Sequence, residues 1–312
     1  MNTQVLESNS PESTSGSVVI ELDHVTKRYR GGGGVSDISL AIRQGEVFGF
    51  LGPNGAGKTT IIRLLLDLIR PNSGTITIFG LDSRADSVAI RRRLGYIPGE
   101  LALYDRLTPR EILTHFAYLR GGIAWSSVTP LIDALNLEID KPVRTMSKGN
   151  RQKVGLVAAF MGDPELLLLD EPTSGLDPLI QQQIHEQVRR AALDGRTVFL
   201  SSHILSEVGE MAGRVGLIRE GRLIAVERVN DLQQRSAHLV DITFPTPPDP
   251  EFLGSLSGVQ RTAIRDKTLH AEVAGDLNPL IAKLSGVQIT DLSIREPDLE
   301  ELFLSFYEQP HE

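Results

Sequence analysis

An α/β fold with a mostly parallel sheet, a helical insertion and a smaller C-terminal α+β unit is what this 312-residue sequence predicts. Three observations carry that expectation. From Val18 to about Leu232, short apolar strands alternate with longer amphipathic segments, the pattern of a parallel sheet whose crossovers are helices. Between Gly99 and about Gly162 the strand signal vanishes and helical periodicity dominates. Beyond about Ala237 the order becomes β-α-β-β-α-β, the split ferredoxin-like arrangement.

Taken in order, Met1 to Ser17 is rich in Ser and Thr, lacks the basic start and apolar stretch of a signal peptide, and is expected to be a disordered tail. Strands are expected at Val18 to Leu22, Gly45 to Leu51, Leu166 to Asp170, Thr197 to Ser202 and Val215 to Arg219, the last entering a hairpin that turns at Glu220-Gly221. A helix follows the second strand, from Ile61 to Leu68. In the insertion, Thr108-Pro109-Arg110-Glu111 is a helix start, with Thr as cap, Pro in the first turn and Glu three residues after the cap. The C-terminal unit is expected to have strands at His238 to Phe244, Val259 to Ile264, Thr268 to Val273 and Val287 to Arg295, with helices at Glu251 to Ser257 and Asn278 to Ser285. Leu256-Ser257-Gly258-Val259-Gln260 recurs as Leu284-Ser285-Gly286-Val287-Gln288, each copy closing a helix and opening a strand. A terminal helix, Asp298 to Glu308, would carry Leu299, Leu302, Phe303 and Phe306 at helical spacing. The chain thus divides into a tail (1–17), a main domain (18–232, insertion about 99–162) and an accessory domain (238–312).

Composition narrows the function. A formal charge of −8 argues against a nucleic-acid partner, which calls for a basic patch or stripe. The absence of cysteine excludes disulfides and thiolate metal ligands. No apolar run approaches the ~18 residues of a membrane-spanning helix, so the chain is expected in the cytosol.

The most informative motif is Gly52-Pro53-Asn54-Gly55-Ala56-Gly57-Lys58-Thr59-Thr60, which meets the spacing G-x-x-x-x-G-K-T between an apolar strand and a helix. Its glycines let backbone N–H groups and the helix N-terminus approach anionic oxygens. Lys58 supplies a charge to the β and γ phosphates, Thr59 a hydroxyl to Mg2+, and Thr60 a further phosphate contact. Downstream, Glu165 to Pro172 reads Glu-Leu-Leu-Leu-Leu-Asp-Glu-Pro, a buried strand ending in two carboxylates. Beside a phosphate loop, Asp170 suits the metal or its water and Glu171 suits polarising the attacking water. Ser174-Gly175-Leu176-Asp177 follows, and Asp177 is grouped with the nucleotide-binding residues. His203 ends the next strand, where a side chain reaches ligands that sit beyond the carboxyl ends of parallel strands.

In this order the motifs resemble those of the ATP-binding subunits of ABC transporters, over Val18 to about Leu232. The resemblance implies a P-loop NTPase core of ABC type, ATP with Mg2+, and a Leu-Ser-Gly-Gly-Gln signature opening a helix. Met146-Ser147-Lys148-Gly149-Asn150 holds that place, with Ser147 and Gly149 keeping the positions that meet the γ-phosphate and Lys148 and Asn150 departing. The two Leu-Ser-Gly-Val-Gln copies are decoys, because an anion site needs the N–H groups of a helix start. Tyr29 matches the aromatic that stacks on adenine. The family has Gln after Pro98, where this chain has Gly99, and Glu100 is the favoured substitute, turned toward the site by the backbone freedom of glycine.

The resemblance further implies a head-to-tail homodimer that sandwiches ATP and drives a separate membrane permease, with export of drugs, antibiotics or other small hydrophobic compounds. Two rivals are a soluble ABC-type ATPase acting on ribosome or DNA, and a regulatory nucleotide-binding module with weak hydrolysis. The single nucleotide domain and acidic balance oppose the first; intact Glu171 and His203 oppose the second.

Overall fold

The computed structural model describes residues 16–235, 238–248, 258–273 and 275–295. Two sheets build the main domain. Strands β1 (Val18–Arg28) and β2 (Gly34–Arg43) pair antiparallel, and β3 (Val47–Leu51) leads through the phosphate loop into helix α1 (Lys58–Leu65). Then come β4 (Ser73–Ile78), β5 (Leu81–Asp82), α2 (Ser87–Arg92) and β6 (Leu94–Ile97). Helices α3 (Pro109–Leu119), α4 (Trp125–Ala134) and α5 (Lys148–Phe160) fill the stretch before β7 (Leu166–Asp170), with no strand between. The domain ends with α6 (Pro178–Leu193), β8 (Thr197–Ser202), α7 (Leu205–Met211), β9 (Arg214–Arg219), β10 (Arg222–Arg228) and α8 (Val229–Arg235).

The six-stranded sheet runs β10-β9-β3-β8-β7-β6, parallel except at the β9–β10 hairpin, whose turn places Glu220 and Gly221 at φ 49° and 75°. Its central strands bury both faces. Phe48, Phe50, Leu166, Leu168 and Phe199 point into one core, while Val47, Leu51, Leu167, Leu169, Val198 and Leu200 point into the other. Two-sided burial is why these strands read as unbroken apolar runs. The capping box expected at Thr108 is formed: Thr108 Oγ1 accepts from Glu111 N, and Glu111 accepts from Thr108 N at 2.7 Å.

One expectation is corrected. The strand that opens the domain does not join the parallel sheet; β1 belongs to a separate antiparallel sheet, β2-β1-β4-β5. In β2 only one face is buried, at Val35, Ile38, Leu40 and Ile42, so it alternates where the parallel strands do not. The domain edge also shifts, because α8 runs past Leu232, with Val229 and Leu232 buried in the main core.

The C-terminal unit forms an antiparallel sheet from β11 (His238–Thr243), β12 (Val259–Arg265), β13 (Thr268–Val273) and β14 (Asp291–Arg295), with α9 (Asn278–Leu284) before the last strand. The order β12-β13-β11-β14 is that of a split β-α-β pair. Strand β14 starts at Asp291, later than Val287, so the second Leu-Ser-Gly-Val-Gln copy closes a helix without opening a strand. The helices expected at Glu251 to Ser257 and Asp298 to Glu308 lie outside the described residues. So does the tail, apart from its last two residues, where Ser17 is tied to Gln44 by two hydrogen bonds. Among the described residues no helix is long and apolar enough to cross a membrane.

Candidate active site

The phosphate loop, the paired carboxylates and the histidine meet where β3, β7 and β8 end side by side. Pairing of Leu51 with Ser202 and of Asp170 with Ser201 brings those ends level. Two glycines make the loop possible. Gly57 caps α1 at φ 113°, a conformation an L side chain resists, and a Cβ on Gly52 would collide with the Ile218 carbonyl.

Lys58 is only 6 % exposed. Its ammonium donates to the carbonyls of Gly52 at 2.6 Å and Pro53 at 3.2 Å, and lies 3.0 Å from Glu171 Oε1. That last contact is an ion pair without hydrogen-bond geometry, which leaves Oε1 buried and unbonded. The other carboxylate oxygen, Oε2, meets His203 Nδ1 at 2.8 Å. A carboxylate only accepts, so Nδ1 carries the hydrogen in this bond.

Backbone and hydroxyl contacts set the two carboxylates apart. Glu171 has φ 48°, a strained value for a residue with a side chain, and its N–H donates to Ser201 at Oγ (3.0 Å) and O (3.2 Å). Ser201 Oγ in turn donates to Asp170 Oδ1 at 2.7 Å. Burial, reinforced by the charge of Asp170 and opposed by Arg63, raises the pKa of the neighbouring Tyr96 phenol. The strand pattern did not assign Ser201 a role; its signal was a pair of hydroxyls ending the apolar run Val198 to Leu200, one strand over from the carboxylates.

Asp170 is 2 % exposed with one hydrogen bond, and its Oδ2 faces the bare Gly99, where an added Cβ would lie 3.6 Å away. A buried carboxylate with spare acceptor capacity, on the strand beside the phosphate loop, fits a hard divalent cation that arrives with phosphate.

The remaining candidates fall elsewhere. Ser147 caps α5, accepting from Asn150 N at 3.3 Å, and Asp177 caps α6, accepting from Ile180 N at 3.1 Å. Gly149 packs so tightly on Ile180 that a Cβ would collide with it. Lys148 Nζ donates to Ser174 O at 3.0 Å and Gln152 Nε2 to Pro172 O at 3.3 Å, fastening α5 to the loop behind Glu171. Burial lowers the pKa of Lys153 on the same helix, and the charge of Asp177 opposes that shift. No hydrogen bond or ion pair joins Ser147, Gly149 or Asp177 to Lys58, Asp170 or Glu171. Tyr29 sits on the turn after β1, 39 % exposed, with the Lys27 ammonium 5.7 Å from its ring centroid. Glu100 is exposed and has no hydrogen bond or ion pair, and Gly99 does not take a left-handed backbone. The expected turn of Glu100 toward the site therefore has no support in backbone geometry.

A phosphate loop whose lysine faces a strand-end carboxylate, itself held by histidine at the carboxyl edge of a parallel sheet, defines a P-loop nucleoside triphosphatase. The sequence profile described as ABC transporter matches residues 35–174. The bacitracin transport ATP-binding protein BcrA of Bacillus licheniformis is 33 % identical, over 92 % of this chain and 97 % of its own. The Nod factor export ATP-binding protein I of Sinorhizobium fredii is 35 % identical, over 95 % of this chain and 88 % of its own. A solved ATP-binding subunit of an ABC transporter superposes with TM-score 0.64 at 29 % identity, covering 70 % of this chain and 92 % of that one. The chain belongs to the ABC transporter family, as one of its ATP-hydrolysing subunits.

Proposed function

We propose that two copies of this chain bind two ATP molecules between them and use their hydrolysis to drive a separate membrane permease that exports small hydrophobic compounds. The observation that carries the dimer is the division of the site. Lys58, Asp170, Glu171 and His203 form one group, Ser147, Gly149 and Asp177 another, and no polar contact joins them within one copy.

The chemistry follows from the first group. When the triphosphate enters, Lys58 exchanges the Gly52 and Pro53 carbonyls and Glu171 for phosphate oxygens. That frees Glu171 Oε1 to orient a water toward the γ-phosphorus, while His203 holds Oε2. Thr59 and Asp170 would hold Mg2+, which neutralises charge on the phosphates when bound. Tyr29 offers the adenine a ring to stack on.

For the permease, a groove of about 380 Å3 between the sheet core and the helical insertion is lined by Leu66, Leu68, Leu94, Tyr96, Phe116 and Leu119. It reaches the active site through β6 and the two residues after it, which lead from Leu94 to Gly99 beside Asp170. An apolar helix of the permease fits there, and it would bring the chain to the inner face of the membrane. Export is supported by the transport and export named for the two relatives.

A mixing experiment tests the shared site. Lys58→Ala and Ser147→Arg each inactivate a homodimer, but a mixed dimer contains one site with both groups intact. Recovery of ATPase activity on mixing supports the proposal; no recovery places both groups in one copy.

A further inference from the structure

Glu207, in the first turn of α7, receives three side-chain donors from segments that are separate in sequence. Thr173 Oγ1 donates to its Oε2 at 2.7 Å, Ser202 Oγ to the same oxygen at 3.1 Å, and Gln181 Nε2 to Oε1 at 3.3 Å. Thr173 lies two residues beyond Glu171, and Ser202 immediately precedes His203. Ser202 Oγ also accepts from Ile204 N at 3.1 Å, so its hydroxyl proton is committed to Glu207 while its lone pair fixes the turn that carries His203. Gln181 adds a second tie to the Thr173 carbonyl at 3.4 Å.

We infer that Glu207 is a positioning residue for hydrolysis, whose carboxylate sets the distance between the Glu171 loop and the His203 loop. The two loops come from different strands, and the 2.8 Å bond between Glu171 and His203 depends on their spacing. A charged acceptor shared by both loops fixes that spacing more firmly than neutral contacts, because hydrogen bonds to an ionised group are about twice as strong. None of its donors is in the phosphate loop, and the bond from Gly52 N to Ser202 O at 3.3 Å is a backbone contact that does not involve the carboxylate. Glu207 therefore governs turnover and leaves nucleotide affinity alone. The inference rests on the assignment of Glu171 and His203 as the hydrolytic pair.

Steady-state ATPase kinetics test it. Glu207→Ala should lower kcat by about ten- to a hundredfold, the scale of a misplaced catalytic group, with KM for ATP within about twofold. Glu207→Gln keeps acceptors for Thr173 and Ser202 but sets an amide donor against Gln181, so it should lose less. In a His203→Ala background the further loss from Glu207→Ala should shrink to less than about threefold, since the positioned group is gone. Thr173→Val, which keeps shape and deletes the shortest donor, carries the test if Glu207→Ala fails to fold. Wild-type kcat in Glu207→Ala, or in Thr173→Val when that variant alone folds, a parallel rise in KM, or a full additive loss in the His203→Ala background would overturn the inference. Wild-type protein without turnover, or Glu171→Gln with full turnover, would instead refute the hydrolytic assignment itself.

Discussion

Glu171 shows how far single residues could be read. That it and Asp170 close a buried strand was legible, because consecutive residues state it. That its oxygens meet Lys58 and His203 was not, because strand order decides which ends lie together, and no local pattern encodes that order. Gly99 was legible as a departure, yet its backbone had to be seen. Its Cβ position makes ordinary contact with Asp170 at 3.5 to 3.6 Å, with no left-handed φ to penalise a side chain. Gly99→Gln is therefore expected to fold with stability within about 0.5 kcal/mol of wild type and to raise ATP turnover, by adding a polar group beside Asp170. Denaturation and ATPase assays check this, and unchanged turnover would mean that water already serves there. Glu100→Ala should stay within about twofold of wild-type turnover, since an exposed, unbonded carboxylate carries little of the chemistry.

At the level of elements, two strands buried on both faces, Leu166–Asp170 and Thr197–Ser202, were placed to the residue, whereas β3 begins at Val47 instead of Gly45 and the four-residue β6 was not foreseen. The antiparallel sheet of β1, β2, β4 and β5 was missed, since one buried face gives a weaker, alternating signal interrupted by irregular register. Caps were the clearest local signs. Thr108→Ala removes the hydroxyl half of the box at α3, where Oγ1 accepts from Glu111 N, keeps the bond from Thr108 N to Glu111, and should cost about 1 kcal/mol in chemical denaturation while leaving ATP affinity unchanged. A loss of ATP affinity would tie α3 to the nucleotide directly. Leu119 lies at the end of the same helix, 64 % exposed on the groove. Leu119→Asp should leave the isolated ATPase unaffected and abolish co-purification with the permease; retained co-purification would move the docking surface elsewhere.

For the whole molecule, a change in composition after about Ala237 raised the expectation of an accessory unit, and β11 to β14 there form a sheet with its own core. Helix α8 continues to Arg235 with Leu232 in the main core, so a cut after Leu232 would sever a packed helix. Truncation after Arg235 should keep ATP binding, because every residue proposed to contact the nucleotide precedes it. The most direct measurement of the account is size-exclusion chromatography of Glu171→Gln with ATP, alongside its turnover. The amide is nearly isosteric but lacks the charge that orients water, so ATP should be held unhydrolysed and the protein should elute as a dimer. A variant that stays monomeric with ATP, or that hydrolyses at the wild-type rate, would contradict the central claim that Glu171 completes hydrolysis in an ATP-closed dimer.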